Sequence, residues 1–151
     1  MSKDEVIAKA GEIVEKSTVH QSPKGIEPYC ALALIDANGY PTASTITPVK
    51  ADGIKWITFC AGLRGNKAKR IEKCNRASVC FNTNGAYNIT LVGTVEILTD
   101  PAIKQEMWYE GLENHFKGVD DPDYCILRFH TQRYNLLFLF SVDGQAAEGN
   151  L

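Results

Sequence analysis

Several short segments of this chain are apolar on both faces, yet tight turns join them. CALALI, which runs into Asp36-Ala37-Asn38-Gly39, and LLFLF at Leu136–Phe140 do not alternate between apolar and polar residues. In IKWITFC, Trp56 and Cys60 point one way while Ile57 and Phe59 point the other. Strands buried on both sides usually belong to parallel sheets covered by crossover helices, but turns this short dictate antiparallel pairing. Three helices are expected, too few to cover every outer face. A small β-barrel with partial helix cover, and a second copy of the chain over the remaining apolar surface, satisfies these constraints.

The first helix places Val6, Ile7, Ala10, Ile13 and Val14 at helical spacing and ends before Ser17. Ser22-Pro23-Lys24-Gly25 reads as a loop. Strands follow in CALALI, in YPTASTITPV and, after the turn Ala51-Asp52-Gly53, in IKWITFC. ASVCFN, the turn Asn82-Thr83-Asn84-Gly85 and the long YNITLVGTVEIL continue the pattern. Thr99-Asp100-Pro101 signals a helix start, with Ile103, Met107, Trp108 and Leu112 on one helical face. After the turn-rich GVDDPD, two strands are expected, YCILRFH and NLLFLFSV. The expectation is one domain over residues 1–151, with residues 1–17 as a helix packed on the barrel.

A net charge of −2 gives no general reason to expect a nucleic-acid or membrane partner. The start, MSKDEVIAKAGEIVEK, carries acids where a signal peptide needs an apolar core. The five cysteines include no C-x-x-C pair. They read as packed, reduced thiols, and the expected location is cytoplasmic. His20, His115 and His130 are too dispersed for a metal motif, and no metal is expected.

Local charge is more informative. FCAGLRGNKAKRIEKC, Phe59 to Cys74, holds two glycines and five basic residues. Ala68 and Ile71 can face a core, so a short helix is expected after Gly65. Its leading N–H groups lack internal partners and the helix dipole is positive there, which favours an anion. Gly62 and Gly65 admit close backbone approach, Lys67 reaches back over the helix start, and Arg64 and Asn66 add donors. Lys69, Arg70 and Lys73 are expected to face solvent. The alternative is a solvated basic face with no ligand. The spacing does not fit G-x-x-x-x-G-K-[ST], and no G-x-G-x-x-G follows a strand, which excludes a nucleotide P-loop and a dinucleotide fold.

The strand, the L-x-G-x-K run and the helix that carries Ile71 resemble the FMN-binding split-barrel family that includes pyridoxamine 5′-phosphate oxidase. In that family an F-Y-T-N-x-x-S-R-K segment before a helix binds the FMN phosphate. Here the same spacing reads Phe59-Cys60-Ala61-Gly62-Leu63-Arg64-Gly65-Asn66-Lys67, which puts Lys67 on the phosphate-binding lysine and Asn66 on the neighbouring arginine. Gly65 replaces a serine, and Arg64 is available to supply the missing contact. PTASTITPV resembles the strand along the flavin ring, placing Ser44, Thr45, Ile46 and Thr47 beside it, with Ser44 where an arginine is typical. Asn88, in NITLVGTVE, matches a flavin-contacting glutamine. Asp100-Pro101 leading to Trp108, then DDPDYCILRF, is most similar to the general-stress-protein subgroup.

The resemblance implies an antiparallel split β-barrel, mainly β with a few helices, that dimerises and binds FMN between subunits. Ser44–Thr47, Cys60 and Ala61 would hold the ring and ribityl chain, with Lys67, Asn66 and Arg64 on the phosphate. The implied activity is electron or hydride transfer between a reduced nicotinamide or similar donor and a small acceptor, with no catalytic residue assigned. Alternatives are a flavin-binding stress or redox-sensing protein without turnover, the same barrel holding haem or a deazaflavin, and a purely structural dimer. Arg128-Phe129-His130 has the letters of the oxidases' R-x-H element but lies inside an expected strand, so pyridoxamine phosphate conversion is not expected.

Overall fold

A computed structural model describes residues 1–23, 28–83, 86–139 and 145–151 of the chain. Helix α1 (Lys3–Lys16) starts where the Ser2 side chain accepts the Glu5 N–H. Asp4 and Glu5 in its first turn and Lys16 in its last complement the helix dipole. Its apolar stripe, Val6, Ala10 and Val14, is buried against the barrel. Helix and barrel approach closely where Gly11 crosses the turn at Gly53, and a Cβ on Gly11 would lie 3.0 Å from the Gly53 Cα.

Strands β1 (Cys30–Ile35), β2 (Pro41–Ile46), β3 (Pro48–Asp52) and β4 (Trp56–Gly62) lead into helix α2 (Asn66–Lys73). Strands β5 (Arg76–Thr83) and β6 (Tyr87–Leu98), helix α3 (Pro101–Met107), and strands β7 (Tyr124–Phe138) and β8 (Gln145–Asn150) complete the order. Every pairing is antiparallel, and the strand order is β2-β1-β5-β6-β7-β4-β3, with β8 on β7. β2 and β3 stand at opposite ends of that order, yet only Thr47 separates them in sequence. Two Cα steps span about 7 Å, so the sheet must curl until its ends nearly meet. This is an antiparallel split barrel.

YPTASTITPV is therefore two strands rather than one, broken at Thr47-Pro48, where proline has no N–H to continue a ladder. The register slips between Pro48 and Lys50, and Val49 is buried in a second core. The free edge of β3 is covered by the chain after α1, where Val19 and His20 donate to Pro48 O and Val49 O. The Gln21 side chain bonds both the N–H and the carbonyl of Ala51. Covering that edge removes a site of strand addition.

The segments YCILRFH and NLLFLFSV, expected as separate strands, belong to one continuous β7. Between them the register with β6 slips, so that Val92 faces Arg133 while Gly93 faces Thr131. At this bulge β7 changes partner along one edge, from β4 up to His130 to β8 from Arg133. TQRY looked like a break because its polar residues sit on the bulge and the outer face. β8 was not expected, because QAAEGN carries no β-branched or aromatic residue, and its pairing comes from the β7 edge that β4 leaves open. Lys24-Gly25 of the expected loop, Asn84-Gly85 of the expected turn and Phe140–Val142 of the expected last strand lie outside the described residues.

The main core gathers Leu32, Leu34, Ile57, Phe59, Leu91, Phe129 and their neighbours inside the barrel. A second core forms outside it from Val49, Met107, Leu112, Tyr124 and Ile126, with Trp108, Tyr109 and Phe116 against it. Trp108 and Phe116 both pack on the Tyr124 ring, at 5.4 and 5.1 Å between centroids. Helix α3 starts at Asp100, whose carboxylate accepts the Ala102 N–H, but it ends at Met107. Trp108 is extended and Leu112 sits in a separate turn of 3-10 helix, so the residues expected on one helical face meet through a bent chain instead.

The β1–β2 turn is organised by one carboxylate. Asp36 accepts the N–H groups of Tyr40 and Asn38 and the Thr42 hydroxyl, while Gly39 takes a φ of 84°. The Tyr40 N–H and the Thr42 hydroxyl are the main causes that hold its carboxyl below the ordinary value. A carboxyl depressed on folding stabilises above its unfolded pKa of about 4 and loses that contribution as pH falls through the lower folded value. Asp36→Asn is therefore expected to lower the urea midpoint at pH 7, with wild type and variant converging as the pH drops below about 4. A gap that persists undiminished at pH 2 would assign the effect to side-chain geometry.

Candidate functional site

The end of β4, the following turn and the start of α2 face the inner side of β2 across a cleft of about 540 Å³. Alternation along β2 turns Thr42, Ser44 and Ile46 toward it, and Cys60, Ala61 and Gly62 come from the last residues of β4. Asn66, Lys67 and Arg70 line it from α2, whose Ala68 and Ile71 are buried on the opposite side. No side chain caps the start of α2, where Gly65 is extended, so the leading N–H groups are available to a ligand. Lys67 and Arg70, three apart, are both half-buried. Neither forms an ion pair among the described residues. A half-buried, unpaired double cation beside a free helix N-terminus suits a dianion such as a phosphate ester.

Of the residues singled out in the sequence, Ser44, Ile46, Cys60, Ala61, Asn66 and Lys67 are brought together at this cleft. Thr45 points to the other face of β2, opposite Ala31, and Thr47 is the link between β2 and β3. Asn88 is exposed on the outer face of β6, where it accepts a bond from the Cys80 thiol at 3.2 Å. The Arg64 side chain leaves the cleft and is 87% exposed, with Nε 3.2 Å from Asp123 Oδ1. Arg70, expected in solvent, instead lines the cleft beside Lys67, because a helical turn brings it back to the same side.

Asp123 is a positioning residue that sequence reasoning did not find. Its Oδ1 accepts the Arg64 N–H at 2.9 Å, and its carbonyl accepts the Leu63 N–H at 2.7 Å. Asp121 supports it by accepting the Asp123 and Lys117 N–H groups. The turn sequence DDPD thus clamps the loop between β4 and α2. Gly62 also sits against this clamp, since a Cβ there would lie 2.7 Å from Asp123 Oδ2. The separation of 59 positions explains why no local pattern signalled it.

Cys60 contacts the second core through its thiol, 3.6 Å from the Tyr124 hydroxyl and 3.8 Å from the Met107 carbonyl. Burial pushes its pKa up to about 12, so it is a protonated thiol at neutral pH. It is expected to alkylate with iodoacetamide at pH 8 more than tenfold more slowly than an exposed peptide cysteine. Labelling at the rate of a free thiol would show that the cleft activates it. Arg128 and His130 share one face of β7. The guanidinium lies over the Trp56 ring at 5.3 Å, and the imidazole pairs with Glu96. Among the described residues, no group of three His, Cys, Asp or Glu side chains could hold a metal ion. No helix among them is long and apolar enough to cross a membrane.

A curled antiparallel sheet whose mouth ends on an uncapped, cationic helix start places the chain in the split-barrel class. The pyridoxamine 5′-phosphate oxidase family model matches residues 25–138, and the chain belongs to that family. Among solved structures it is similar to a Clostridium acetobutylicum protein related to general stress protein 26 of B. subtilis, with 25% identity and a TM-score of 0.77. That match covers 100% of this chain and 97% of the other. It is also similar to a Nostoc punctiforme pyridoxamine 5′-phosphate oxidase-related, FMN-binding protein, at 15% identity and a TM-score of 0.61, over 98% and 93% of the two chains. A haem-binding protein from Mycobacterium smegmatis shares the fold at 17% identity and a TM-score of 0.71, over 96% of this chain and 57% of that one. Comparison with curated proteins finds no match.

Proposed function

We propose that this chain is an FMN-binding flavoprotein that works as a homodimer and passes electrons between a reduced nicotinamide, or a similar donor, and a small acceptor. The observation that carries the reading is the pairing of unpaired Lys67 and Arg70 with the uncapped start of α2 at one end of the cleft. There Lys67, Arg70 and Asn66 would hold the FMN phosphate. Ser44, Ile46, Cys60 and Ala61 would lie along the ribityl chain and ring. When bound, the flavin supplies the redox chemistry, and the protein orients and tunes it. Arg64 contributes through the Asp123 clamp, which keeps the β4–α2 loop in shape. Thr45 and Asn88 face away from this chain's cleft and would reach a flavin only across the dimer interface, and Thr47 would do so from the strand link. Support for the dimer comes from that outer face, where Ala31, Ala33, Val92 and Leu137 are only half-covered within one chain.

The fold is shared with a haem-binding protein, so the absorption spectrum of the purified protein comes first. None of the described histidines lines the cleft. Flavin bands, FMN by mass spectrometry and a dimer by light scattering are the expected results; a haem Soret band would overturn the assignment. Anaerobic mixing with NADH and NADPH then separates an oxidoreductase from a flavin-binding sensor, since a flavin that no donor bleaches favours the sensor.

A further inference from the structure

A second cleft, of about 400 Å³, adjoins the first along α2, between that helix and the β1–β2 turn. Asn66 and Arg70 line both. Beyond them the wall is Lys69 and Lys73 from the helix and Asp36 and Asn38 from the turn. Lys69, Arg70 and Lys73 form no ion pair among the described residues. Asp36 is the acid in the lining, and its carboxylate oxygens already serve Asn38, Tyr40 and Thr42. The cleft therefore has three cations against one carboxylate, whose charge Arg70 feels, with side-chain amides from Asn38 and Asn66 and an apolar strip at Ile35 and Ala37.

We propose that this cleft binds the adenosine-phosphate half of a nucleotide, next to the flavin phosphate. The inference rests on the flavin reading for its position but not for its chemistry. Arg70 stands between the clefts, so an anion seated at Lys67 continues into a second phosphate at Arg70 and Lys69. From Asn66 to Lys73 the helix rises about 10 Å, enough to run along an extended nucleoside phosphate. The volume falls in the range of small-molecule pockets. Amides recognise a base or ribose edge, and the apolar strip offers a surface for the base. The adenylate can belong to FAD, bound across both clefts, or to a separate adenine nucleotide such as the electron donor.

Titrations of the full-length protein with FMN, FAD and ADP test this, with Lys69→Ala/Lys73→Ala as the variant. Both lysines are exposed, so the variant is expected to melt with the wild type. FAD is expected to bind about tenfold more tightly than FMN, and the variant to erase that margin while FMN affinity stays within about twofold. ADP that binds to the FMN-loaded protein, and fails to bind the variant, assigns the cleft to a separate nucleotide and upholds the proposal. ADP binding of the same kind without any flavin binding upholds the cleft and removes the flavin reading. FMN binding with no FAD margin and no ADP binding overturns this inference and leaves the flavin reading standing. An FAD margin or ADP affinity that the variant retains overturns it as well.

Discussion

Lys67→Ala is expected to weaken FMN binding ten- to hundredfold while leaving riboflavin binding nearly unchanged. A charge-assisted contact to a phosphate oxygen contributes on the order of 1.5–3 kcal/mol, and about 1.4 kcal/mol is a factor of ten in affinity. The half-buried position of Lys67 and its lack of a protein carboxylate keep this contact from being screened as a surface pair would be. Arg70→Ala is expected to act in the same direction. Fluorescence titration with the two ligands reads both effects. Equal weakening of FMN and riboflavin would mean that Lys67 does not meet the phosphate.

Gly93→Ala is expected to be the most destabilising glycine-to-alanine change among the described residues. A Cβ at Gly93 would lie 1.9 Å from the His130 carbonyl oxygen and 2.9 Å from its carbon. Both atoms are backbone of β7, so relief requires the bulge itself to move, not a side chain to rotate. The cost is expected to exceed about 3 kcal/mol, in the range seen for overpacking that a core cannot absorb. Gly118→Ala is the control, because nothing lies within 4 Å of its Cβ, and it should stay within about 0.5 kcal/mol of wild type. Chemical denaturation of the three proteins measures the difference. If the Gly93 variant matches the control, the bulge is more pliable than its geometry indicates.

The bulge also bears on the site. β7 pairs β4 from Tyr124 to His130, and the residues opposite Tyr124–Ile126 are Cys60–Gly62 of the cleft. One residue earlier in sequence, Asp123 clamps the β4–α2 loop. Displacing β7 therefore displaces the wall of the cleft and its clamp together, and the Gly93 variant is expected to lose flavin affinity along with stability.

Much of this arrangement was legible from local pattern. The amphipathic spacing of Val6 to Val14 marks α1, the Asp36–Gly39 turn marks the first hairpin, and Gly65 followed by Asn66, Lys67 and Ala68 marks α2. In each case the physics is contained within one or two turns of chain, and the structure adds only the endpoints. Strands apolar on both faces correctly demanded cover on both sides, which the barrel interior and the second core supply at β4.

Other features depend on partners distant in sequence, and no local signal carries them. The joining of two apparent strands into β7 follows from pairing with all of β6, which holds the polar TQRY segment extended across a bulge. β8 exists because β7 offers a free edge. Arg64 and Arg70 exchanged their expected environments because Asp123, far along the chain, pulls one away, while the helical turn returns the other to the cleft. Residue chemistry and spacing by themselves determined that this chain makes an antiparallel barrel with a cationic helix start after the strand IKWITFC. Only the tertiary structure decided which cations face the cleft, because that choice depends on long-range hydrogen bonds and on curvature that brings β2 opposite the end of β4.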